Sequence, residues 1–364
     1  MKILLLGEYS NVHNTLAKGL RLLGHDVVVA SNGDFWKDYP RNQDLARRPG
    51  KLGGLALMAK VATLLPQWRG FDVVQLINPM FLELKAERIF PIYRYLRRHN
   101  RHVILCAMGI DYYWVKECIE KKPLRYSDFN IGSKLRTDEC AMKDRNDWMN
   151  TAKERLNRMI ADDCDAVVTG LYEYFVCYSP NFPDKTDFIP LPIITSNPSS
   201  VNSLSCPINL FIGISKNRSA YKGTDIMLRA AQAVKEKYPD KIELVVAEGL
   251  PFNEYQHKMD NSDVIMDQLY SYTPAMNALL AMSKGIVVIG GGEPENYDII
   301  DEKELRPIIN VEPSFESVYE QLKQLVLHPE CLPLLKQQSI EYVRKHHDYM
   351  KVAKQYESIY KQLL

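Results

Sequence analysis

Three cationic residues crowd one short stretch of the sequence, IGISKNRSAYKGTDIML at residues 212–228. Lys216, Arg218 and Lys222 lie within seven positions, between an apolar run and a segment with apolar residues at helical spacing. A helix that begins near Thr224 would present backbone N–H groups and the positive end of its dipole to an anion. Arginine binds phosphate oxygens in a fork and lysine acts as a point charge. The stretch therefore predicts a phosphate site, and a solvated basic loop is the alternative.

A second dense feature is the sequence GGGEPENYD at residues 290–298. Gly291 and Gly292 end a strongly apolar run, and the carboxylates Glu293 and Glu295 follow. Backbone N–H groups between glycines can approach a sugar or a phosphate closely, and carboxylates accept hydrogen bonds from neighbouring hydroxyl groups. This loop is predicted to bind the sugar or the nucleotide of a ligand, and an acidic surface turn is the alternative.

Candidate residues in the first half follow short apolar runs. His13 and Asn14 lie in GEYSNVHN, and Gly109 and Asp111 follow HVILCAM. We expect His13 and Asp111 to be catalytic, with Asp111 as a base toward an acceptor hydroxyl or, alternatively, as a helix cap. Asn14 and Gly109 are expected on the acceptor side. Residues 34–36, Asp-Phe-Trp, could line the entrance to that site.

The elements that must position these residues alternate between strand and helix. KILLL, TLAKGLRLLG and HDVVVAS form a strand, a helix and a strand, and further apolar strands are predicted at 72–78, 102–108 and 165–170. Helices are predicted at about 86–98 and 145–161. Continuous apolar strands alternating with helices are typical of a parallel sheet covered on both faces.

A proline- and serine-rich segment at residues 187–207 predicts a linker, and the same alternation restarts after it. INLFIGI, IELVVAE, SDVIMD, KGIVVIG and RPIINV read as strands, and the chain ends in helical segments. The fold class is therefore α/β, with two Rossmann-like domains. Ligands bind beyond the carboxyl ends of such strands, so a cleft between the domains is the expected site.

Several stretches resemble family 4 glycosyltransferases with the GT-B fold, and together they span most of the chain. They are MKILLLGEYSNVHNTLAKGLRLLGHDVVVAS, FIPLPI, PAMNALLAMSKGIVVIGGGEPENYD and EYVRKHHDYMKVAKQYESIYKQLL. The resemblance implies an acceptor domain at residues 1–190, completed by a C-terminal helix at 348–364. It implies a nucleotide-sugar donor domain at 205–345.

The resemblance also implies the reaction. Lys216, Arg218 and Lys222 would hold the diphosphate of a nucleotide sugar, and the sugar would pass to a carbohydrate or lipid-linked acceptor with retained anomeric configuration. Such an enzyme serves surface polysaccharide or glycan synthesis, and it needs no metal and no cofactor besides its substrate. We expect Glu293, Glu295 and Asn277 to bind the donor sugar or nucleotide.

The sequence departs from the family at three positions. Two glutamates that the family places eight residues apart are Tyr272 and Leu280 here, and a histidine of the first domain is Met108. Either Glu293, Glu295 and Asn277 replace them, or donor binding has changed, or activity is lost. A non-catalytic nucleotide-sugar-binding descendant and a nucleotide-sugar epimerase on the same fold are therefore the alternatives.

Composition narrows the partners and the compartment. A net charge of +1 and a pI near 7.6 argue against a general nucleic-acid binder. The seven cysteines form no CxxC pair, which favours a reducing, cytoplasmic location. No apolar run reaches 18 residues, which argues against a membrane span. The arginines of residues 86–102 predict a solvated helix face, and peripheral contact with an anionic inner membrane face, where lipid-linked acceptors reside, is the alternative.

Overall fold

The computed structural model describes residues 1–50, 52–195 and 206–364, except the side chains of Lys216 and Phe252. Residues 196–205, the centre of the predicted linker, lie outside the described part of the chain. The chain divides into two compact units. The first unit contains Met1–Pro123, Lys143–Pro192 and Tyr349–Leu364, and the second contains Leu124–Met142 and Ile193–Asp348.

Strands occur in both units, and the longer ones coincide with short apolar runs bounded by turn residues. They are β1 (Lys2–Leu6), β2 (Asp26–Ser31), β3 (Gln43–Asp44), β4 (Val73–Leu76), β5 (His102–Ala107), β6 (Asn130–Ile131), β7 (Lys134–Leu135), β8 (Ala166–Thr169), β9 (Thr186–Phe188), β10 (Ile208–Ile214), β11 (Ile242–Glu248), β12 (Val264–Met266), β13 (Val287–Gly290) and β14 (Ile309–Asn310).

Helices connect these strands and end the chain. They are α1 (Val12–Leu22), α2 (Gly53–Leu64), α3 (Ala86–His99), α4 (Tyr112–Glu120), α5 (Glu139–Trp148), α6 (Ala152–Asp163), α7 (Tyr172–Tyr178), α8 (Ser219–Lys222), α9 (Thr224–Lys237), α10 (Phe252–Asp260), α11 (Met276–Ser283), α12 (Pro294–Ile299), α13 (Phe315–Leu327), α14 (Leu332–Tyr342) and α15 (Tyr349–Leu363). The single helix predicted at 145–161 is two helices, α5 and α6, because Thr151 caps the start of α6 through its side chain.

The first unit contains a parallel sheet with the strand order β3-β2-β1-β4-β5-β8-β9. Strands β4 and β8 are buried along their whole length, as expected for a sheet covered on both faces. The C-terminal helix α15 packs against α1. The hydroxyl of Tyr360 in α15 donates to Gln75 Oε1 of β4 at 2.6 Å, which ties the chain end to the sheet.

The second unit contains a parallel sheet with the order β11-β10-β12-β13-β14. Its core includes Ile212 of β10, Val264 of β12 and Met227 of α9, which are fully buried. Both units therefore have the Rossmann-like arrangement that the sequence predicts, and that prediction is confirmed.

One segment departs from the expected domain boundaries. Residues 124–142, which we call the insert, lie within the 1–190 range assigned to the first domain, yet they pack with the second unit. The insert contains the antiparallel pair β6–β7. No local sequence pattern indicated this packing, because its partners lie far along the chain.

Candidate functional site

In the second unit, the strand order reverses between β10 and β12, the place where open parallel sheets bind ligands. The loops after these two strands meet, since Leu269 N donates to Lys222 O at 3.0 Å. Asp267, directly after β12, is half-buried, and the pKa of its carboxyl is raised because desolvation outweighs the nearby charge of Lys222, which lowers it. Asn277 Nδ2 donates to Asp267 Oδ1 at 3.2 Å, and Tyr255 hydroxyl donates to Asn277 Oδ1 at 3.4 Å. Lys222 and Asn277, both predicted site residues, therefore share this edge of the sheet.

The basic stretch is helical where a loop was expected. Residues Lys216–Arg218 form a 3-10 turn and α8 follows, so Arg218 and Lys222 lie at either end of a short helical turn. Gly223 separates α8 from α9 with φ of 74°, and a Cβ there would lie 2.5 Å from the Leu269 Cβ. Arg218 is exposed, with its guanidinium carbon 4.9 Å from the centre of the Tyr221 ring. The side chain of Lys216 lies outside the described part of the structure.

The acidic loop after β13 is held by the insert. Arg125 donates from Nη2 to Glu293 Oε2 at 2.7 Å and from Nη1 to Glu295 Oε1 at 2.5 Å. The hydroxyl of Tyr126 donates to Glu293 Oε1. Burial opposes ionisation of Glu295, but the hydrogen bond and charge of Arg125 prevail and lower its pKa. Glu293 is 7% exposed at its side chain and Glu295 is 26% exposed, so Glu295 is the more accessible carboxylate.

The glycines of this loop are required by the neighbouring backbone. A Cβ on Gly291 would lie 2.7 Å from Ser271 O, and one on Gly292 would lie 2.8 Å from Ile308 Cγ2. The N–H of Gly292 donates to Asn310 Oδ1 at 3.2 Å. The expectation that the N–H of Gly292 reaches a ligand is therefore not supported, because it already has a partner within the unit.

The positions of the missing family glutamates have other surroundings. Tyr272 is fully buried, and its hydroxyl accepts the backbone N–H of Arg125 at 2.7 Å. Its ring lies 4.8 Å from that of Tyr126 and 5.0 Å from the guanidinium carbon of Arg125. Leu280 is half-buried on α11. Tyr272 thus anchors the insert, at a position where the glycosyltransferases that the sequence resembles carry a glutamate.

A second anchor of the insert reaches the basic stretch. Arg136 is 8% exposed and donates from Nη2 to Ala220 O of α8 at 2.8 Å and from Nη1 to Ser127 O at 3.2 Å. Its guanidinium carbon lies 3.8 Å from the centre of the Tyr270 ring, a close cation–π contact. The insert therefore contacts both the basic stretch and the acidic loop.

In the first unit, His13 is completely buried between two partners. Its Nδ1 lies 2.8 Å from Gly7 O, and Gln75 Nε2 lies 3.1 Å from its Nε2. Burial lowers the pKa of His13 to about 4, so the ring is neutral at pH 7. Because both ring nitrogens are engaged inside the unit, this geometry argues against the predicted catalytic role.

Asp111 is the N-cap of α4. Its Oδ1 accepts Trp114 N at 2.9 Å and its Oδ2 accepts the hydroxyl of Tyr178 at 2.6 Å. Burial raises the pKa of Asp111 to about 6, although these hydrogen bonds oppose the shift. The side chain is fully buried, which favours the capping alternative over the role of a base. Gly109 has φ of 82°, and a Cβ there would lie 3.2 Å from the Tyr9 ring.

Glu8 is a buried carboxylate of the first unit that the sequence pattern did not single out. Its two carboxylate oxygens accept His13 N at 3.1 Å and Asn14 N at 2.8 Å, so it satisfies the start of α1. Burial raises its pKa to about 8, against these hydrogen bonds. The predicted acceptor residue Asn14 is itself buried and donates from its side chain to Asn11 Oδ1 at 2.8 Å.

A cavity of about 270 Å³ lies where the strand order of the first unit reverses, between β1 and β4. Its lining mixes carboxylates, amides and aromatic rings, and includes Glu8, Tyr9, Asn78, Phe35, Trp148 and Lys153. Phe35 was expected near such an entrance. Met108 is buried, and its carbonyl accepts Asn78 Nδ2 at 2.8 Å.

Among residues 1–50, 52–195 and 206–364, no group of three or more His, Cys, Asp or Glu side chains could hold a metal ion. Within the same ranges, no helix combines the length and the apolar character that crossing a bilayer requires.

Comparison with solved structures places the fold. Anabaena HepE, solved with UDP and glucose, superposes with a TM-score of 0.63 at 12% identity, covering 99% of each chain. Sucrose-phosphate synthase from Thermosynechococcus elongatus gives 0.65 at 13% identity, covering 100% of this chain and 99% of the other. UDP-GlcNAc 2-epimerase from Neisseria meningitidis gives 0.53 at 12% identity, with 99% and 100% covered. No protein-family model matches the sequence, and no curated protein matches it by sequence.

These likenesses, together with two Rossmann-like units, define the GT-B fold. Identities of 12–13% show the fold alone, so what the chain does has to be argued from its own residues.

Proposed function

We propose that the protein is a glycosyltransferase that uses a nucleoside diphosphate sugar, with the diphosphate held by Arg218 and Lys222. The observation that carries this proposal is their placement at the reversal of strand order in the second Rossmann-like sheet. Structures with the same fold are described as complexes with UDP, UDP-glucose, or UDP and GlcNAc, which favours a UDP-sugar as the donor.

Physical chemistry supports this use of the two cations. When the bond between sugar and diphosphate breaks, negative charge grows on the leaving nucleoside diphosphate. Fixed cations that meet this charge stabilise the transition state more than the ground state, which lowers the barrier. We propose that Arg218 and Lys222 do this without a metal ion, and that the sugar is transferred with retained configuration. The acceptor would be a carbohydrate or a lipid-linked sugar, in surface polysaccharide or glycan synthesis.

The test is the double variant Arg218→Ala/Lys222→Ala, with UDP binding measured by calorimetry. We expect a loss of affinity of at least about 100-fold, since two charge-assisted contacts are removed. The matched control is Arg229→Ala/Lys235→Ala, which removes two cations from α9 of the same unit. UDP affinity that stays unchanged in Arg218→Ala/Lys222→Ala would reject the diphosphate site.

Two alternatives are distinguished by the products. An epimerase, favoured by the fold likeness to UDP-GlcNAc 2-epimerase, would convert a nucleotide sugar without any acceptor. A non-catalytic descendant, favoured by Tyr272, Leu280 and Met108 at family positions, would bind without turnover. Incubation with a panel of nucleotide sugars and acceptors separates the three. Transfer releases a nucleoside diphosphate and forms a glycosylated acceptor. Epimerisation gives a rearranged sugar without any acceptor, either still on the nucleotide or freed by water together with the nucleoside diphosphate, and the descendant leaves the donor intact.

We also propose that the first unit contacts an anionic membrane face, where a lipid-linked acceptor would be found. Leu52, just before α2, is 73% exposed and Leu55 in α2 is 55% exposed. Arg47, Arg48 and Lys60 nearby are exposed as well. Apolar side chains flanked by cations suit the surface of an anionic bilayer.

The arginines of α3 differ in their exposure. Arg97 is paired with Asp165 at 2.7 Å, whereas Arg94 and Arg98 are exposed. The test is flotation with vesicles that contain or lack an anionic lipid. Binding to anionic vesicles should be lost in Leu52→Glu/Leu55→Glu. The contact would be rejected if neither the wild type nor the variant floated with anionic vesicles.

A further inference from the structure

The insert, residues 124–142, is built as a permanent part of the second unit. Within it, Phe129 and Asn130 are fully buried, and Leu124, Tyr126 and Ser127 are almost so. Its backbone turns are closed by hydrogen bonds, since Ser127 N donates to Asn130 O at 2.8 Å and Gly132 N to Arg125 O at 2.7 Å. A segment that gave up this burial would lose much apolar contact, so the insert is unlike a removable lid.

Arg125 projects from this fixed support into the acidic loop. Its guanidinium donates to both carboxylates, with Nη2 reaching Glu293 Oε2 at 2.7 Å and Glu295 Oε2 at 3.2 Å. Glu293 is additionally held by the Tyr126 hydroxyl. Two neighbouring carboxylates repel each other unless a cation lies between them, and Arg125 occupies that position. One arginine therefore fixes the charge and orientation of both side chains.

Tyr272 contacts both the backbone and the guanidinium of Arg125 and so holds that residue in place. Its hydroxyl accepts the backbone N–H of Arg125 at 2.7 Å, and its ring lies beside the guanidinium. Replacing a family-typical glutamate by tyrosine at this position removes one carboxylate but supplies an anchor for the insert. Arg125 in turn holds the two carboxylates of the acidic loop, Glu293 and Glu295.

Accessibility distinguishes the two carboxylates. Glu293 is nearly buried and serves as the inner support, whereas Glu295 at 26% and Arg125 at 55% side-chain exposure face outward. Each carboxylate oxygen has two lone pairs, so Glu295 can accept further hydrogen bonds while Arg125 holds it.

We propose that Arg125 is a positioning residue of the donor-sugar site, holding Glu295 so that its free lone pairs accept hydrogen bonds from hydroxyl groups of the donor sugar. This inference rests on the proposed use of a nucleoside diphosphate sugar. Tyr272 and Leu280 have no carboxylate with which to bind the donor. The insert, which is distant in sequence, instead positions the carboxylate of Glu295 for the donor sugar.

The test compares UDP with UDP-glucose and UDP-GlcNAc in the wild type, Arg125→Ala and Arg125→Lys, by calorimetry. We expect Arg125→Ala to bind the preferred UDP-sugar about tenfold more weakly while UDP affinity changes less than about twofold. Arg125→Lys keeps the charge but not the fork, so it should recover part of the loss. The matched control is Arg158→Ala, which removes an exposed arginine, 58% exposed, from a pair with Glu154 in the first unit.

A pH series gives a readout that a merely structural role would not move. Without Arg125, the carboxyl of Glu295 loses the contact that lowers its pKa and takes up a proton at a higher pH. The affinity for the UDP-sugar, whose diphosphate does not titrate near neutral pH, should therefore begin to fall at a higher pH in Arg125→Ala than in the wild type. An equal pH dependence in the two proteins would contradict the proposal.

The remaining outcomes separate this inference from the proposed function. A wild type that does not bind UDP overturns the proposed function, and this inference with it. If the wild type binds UDP but Arg125→Ala binds UDP-sugars equally well, only this inference fails. Tighter binding by Arg125→Ala would mean that the insert blocks the site, which also overturns it. Hydrogen exchange of the free wild type adds a check, since the amide of Asn130 should be protected as strongly as those of β10.

Discussion

The carboxyl edges of the two Rossmann-like sheets carry polar residues in the same topological place, but they use them differently. In the first unit, His13, Asp111 and Glu8 are almost completely buried, and each is engaged by groups of that unit. In the second, Arg218 is exposed and Arg125 is more than half exposed. A polar residue after a strand can therefore support the backbone or face a ligand.

Burial is the physical variable that separates these two uses. A titratable group deep in the first unit is pushed toward its neutral form, as His13 and Glu8 are. A charged group near the surface of the second unit keeps its charge at little cost, and a ligand can reach it. The comparison predicts that changes at the first edge alter stability first, while changes at exposed residues of the second edge alter binding first.

The largest expected effect on the free energy of unfolding is that of Phe129→Ala, in the insert of the second unit. This substitution tests the comparison at a buried residue of the unit whose exposed residues we assign to binding. Phe129 is fully buried, so truncation should cost about 3–5 kcal/mol in the free energy of unfolding of this unit. Hydrogen exchange of β10 and β12 reports that unit separately from the first. Ile131→Ala, in the same hairpin and 43% exposed, is the control and should cost far less. Equal, small effects would show that the insert is a loosely attached loop.

Asp111→Ala is expected to have an intermediate effect, in the first unit. It leaves the N–H of Trp114 and the hydroxyl of Tyr178 without their acceptor, which should cost about 2–3 kcal/mol in stability. UDP binding, which we assign to the second unit, should not change. The control is Asp111→Asn, which keeps an acceptor for the cap and should keep most of the stability. Loss of sugar transfer in a stable Asp111→Asn would restore the catalytic role and break the comparison.

Local patterns in the sequence predicted most of the fold, because each strand of a covered parallel sheet is itself an apolar run. KILLL and INLFIGI correspond to β1 and β10 residue for residue. The basic stretch around Arg218 could be singled out for the same reason, since its charges are neighbours in sequence. Helix α2 was not predicted, because its residues GGLALMAKVATL are apolar with little helical periodicity.

Contacts between distant residues could not be predicted. Arg125 pairs with Glu293, which lies 168 positions away, and no spacing rule connects them. Asp111 was expected to be a base because of its residue type and its place after a strand. Its cap of Trp114 N is local, but its second oxygen is engaged by the hydroxyl of Tyr178, 67 positions further along. A sequence shows which polar residues follow strands, but only tertiary packing determines whether their hydrogen bonds are already satisfied.

The smallest and most specific effect is expected at Glu8. There the pH dependence of the free energy of unfolding sharpens the comparison between the two edges. Its folded pKa of about 8 lies above its ordinary value of 4.5, so its contribution to stability is present below pH 4.5 and is lost as pH rises toward 8. Below pH 6.5, His13 opposes this trend, because the unfolded chain then takes up a proton that the buried ring does not. Between pH 6.5 and 8 the contribution of Glu8 is therefore the clearer one.

In that pH window, Glu8→Gln should flatten the fall in unfolding free energy of the first unit, by at most about 1.4 kcal/mol per pH unit. Urea unfolding at pH 6.5, 7.2 and 8, with hydrogen exchange of β1 to assign the unit, measures the slope. Glu320→Gln is the control, since hydrogen bonds from Gln324 and Lys323 hold the pKa of Glu320 below its usual range and outside this window. A slope that is the same in Glu8→Gln and the wild type would mean that Glu8 is ionised in the folded protein throughout. The first edge would then carry a buried charge, and burial alone would no longer separate the two edges.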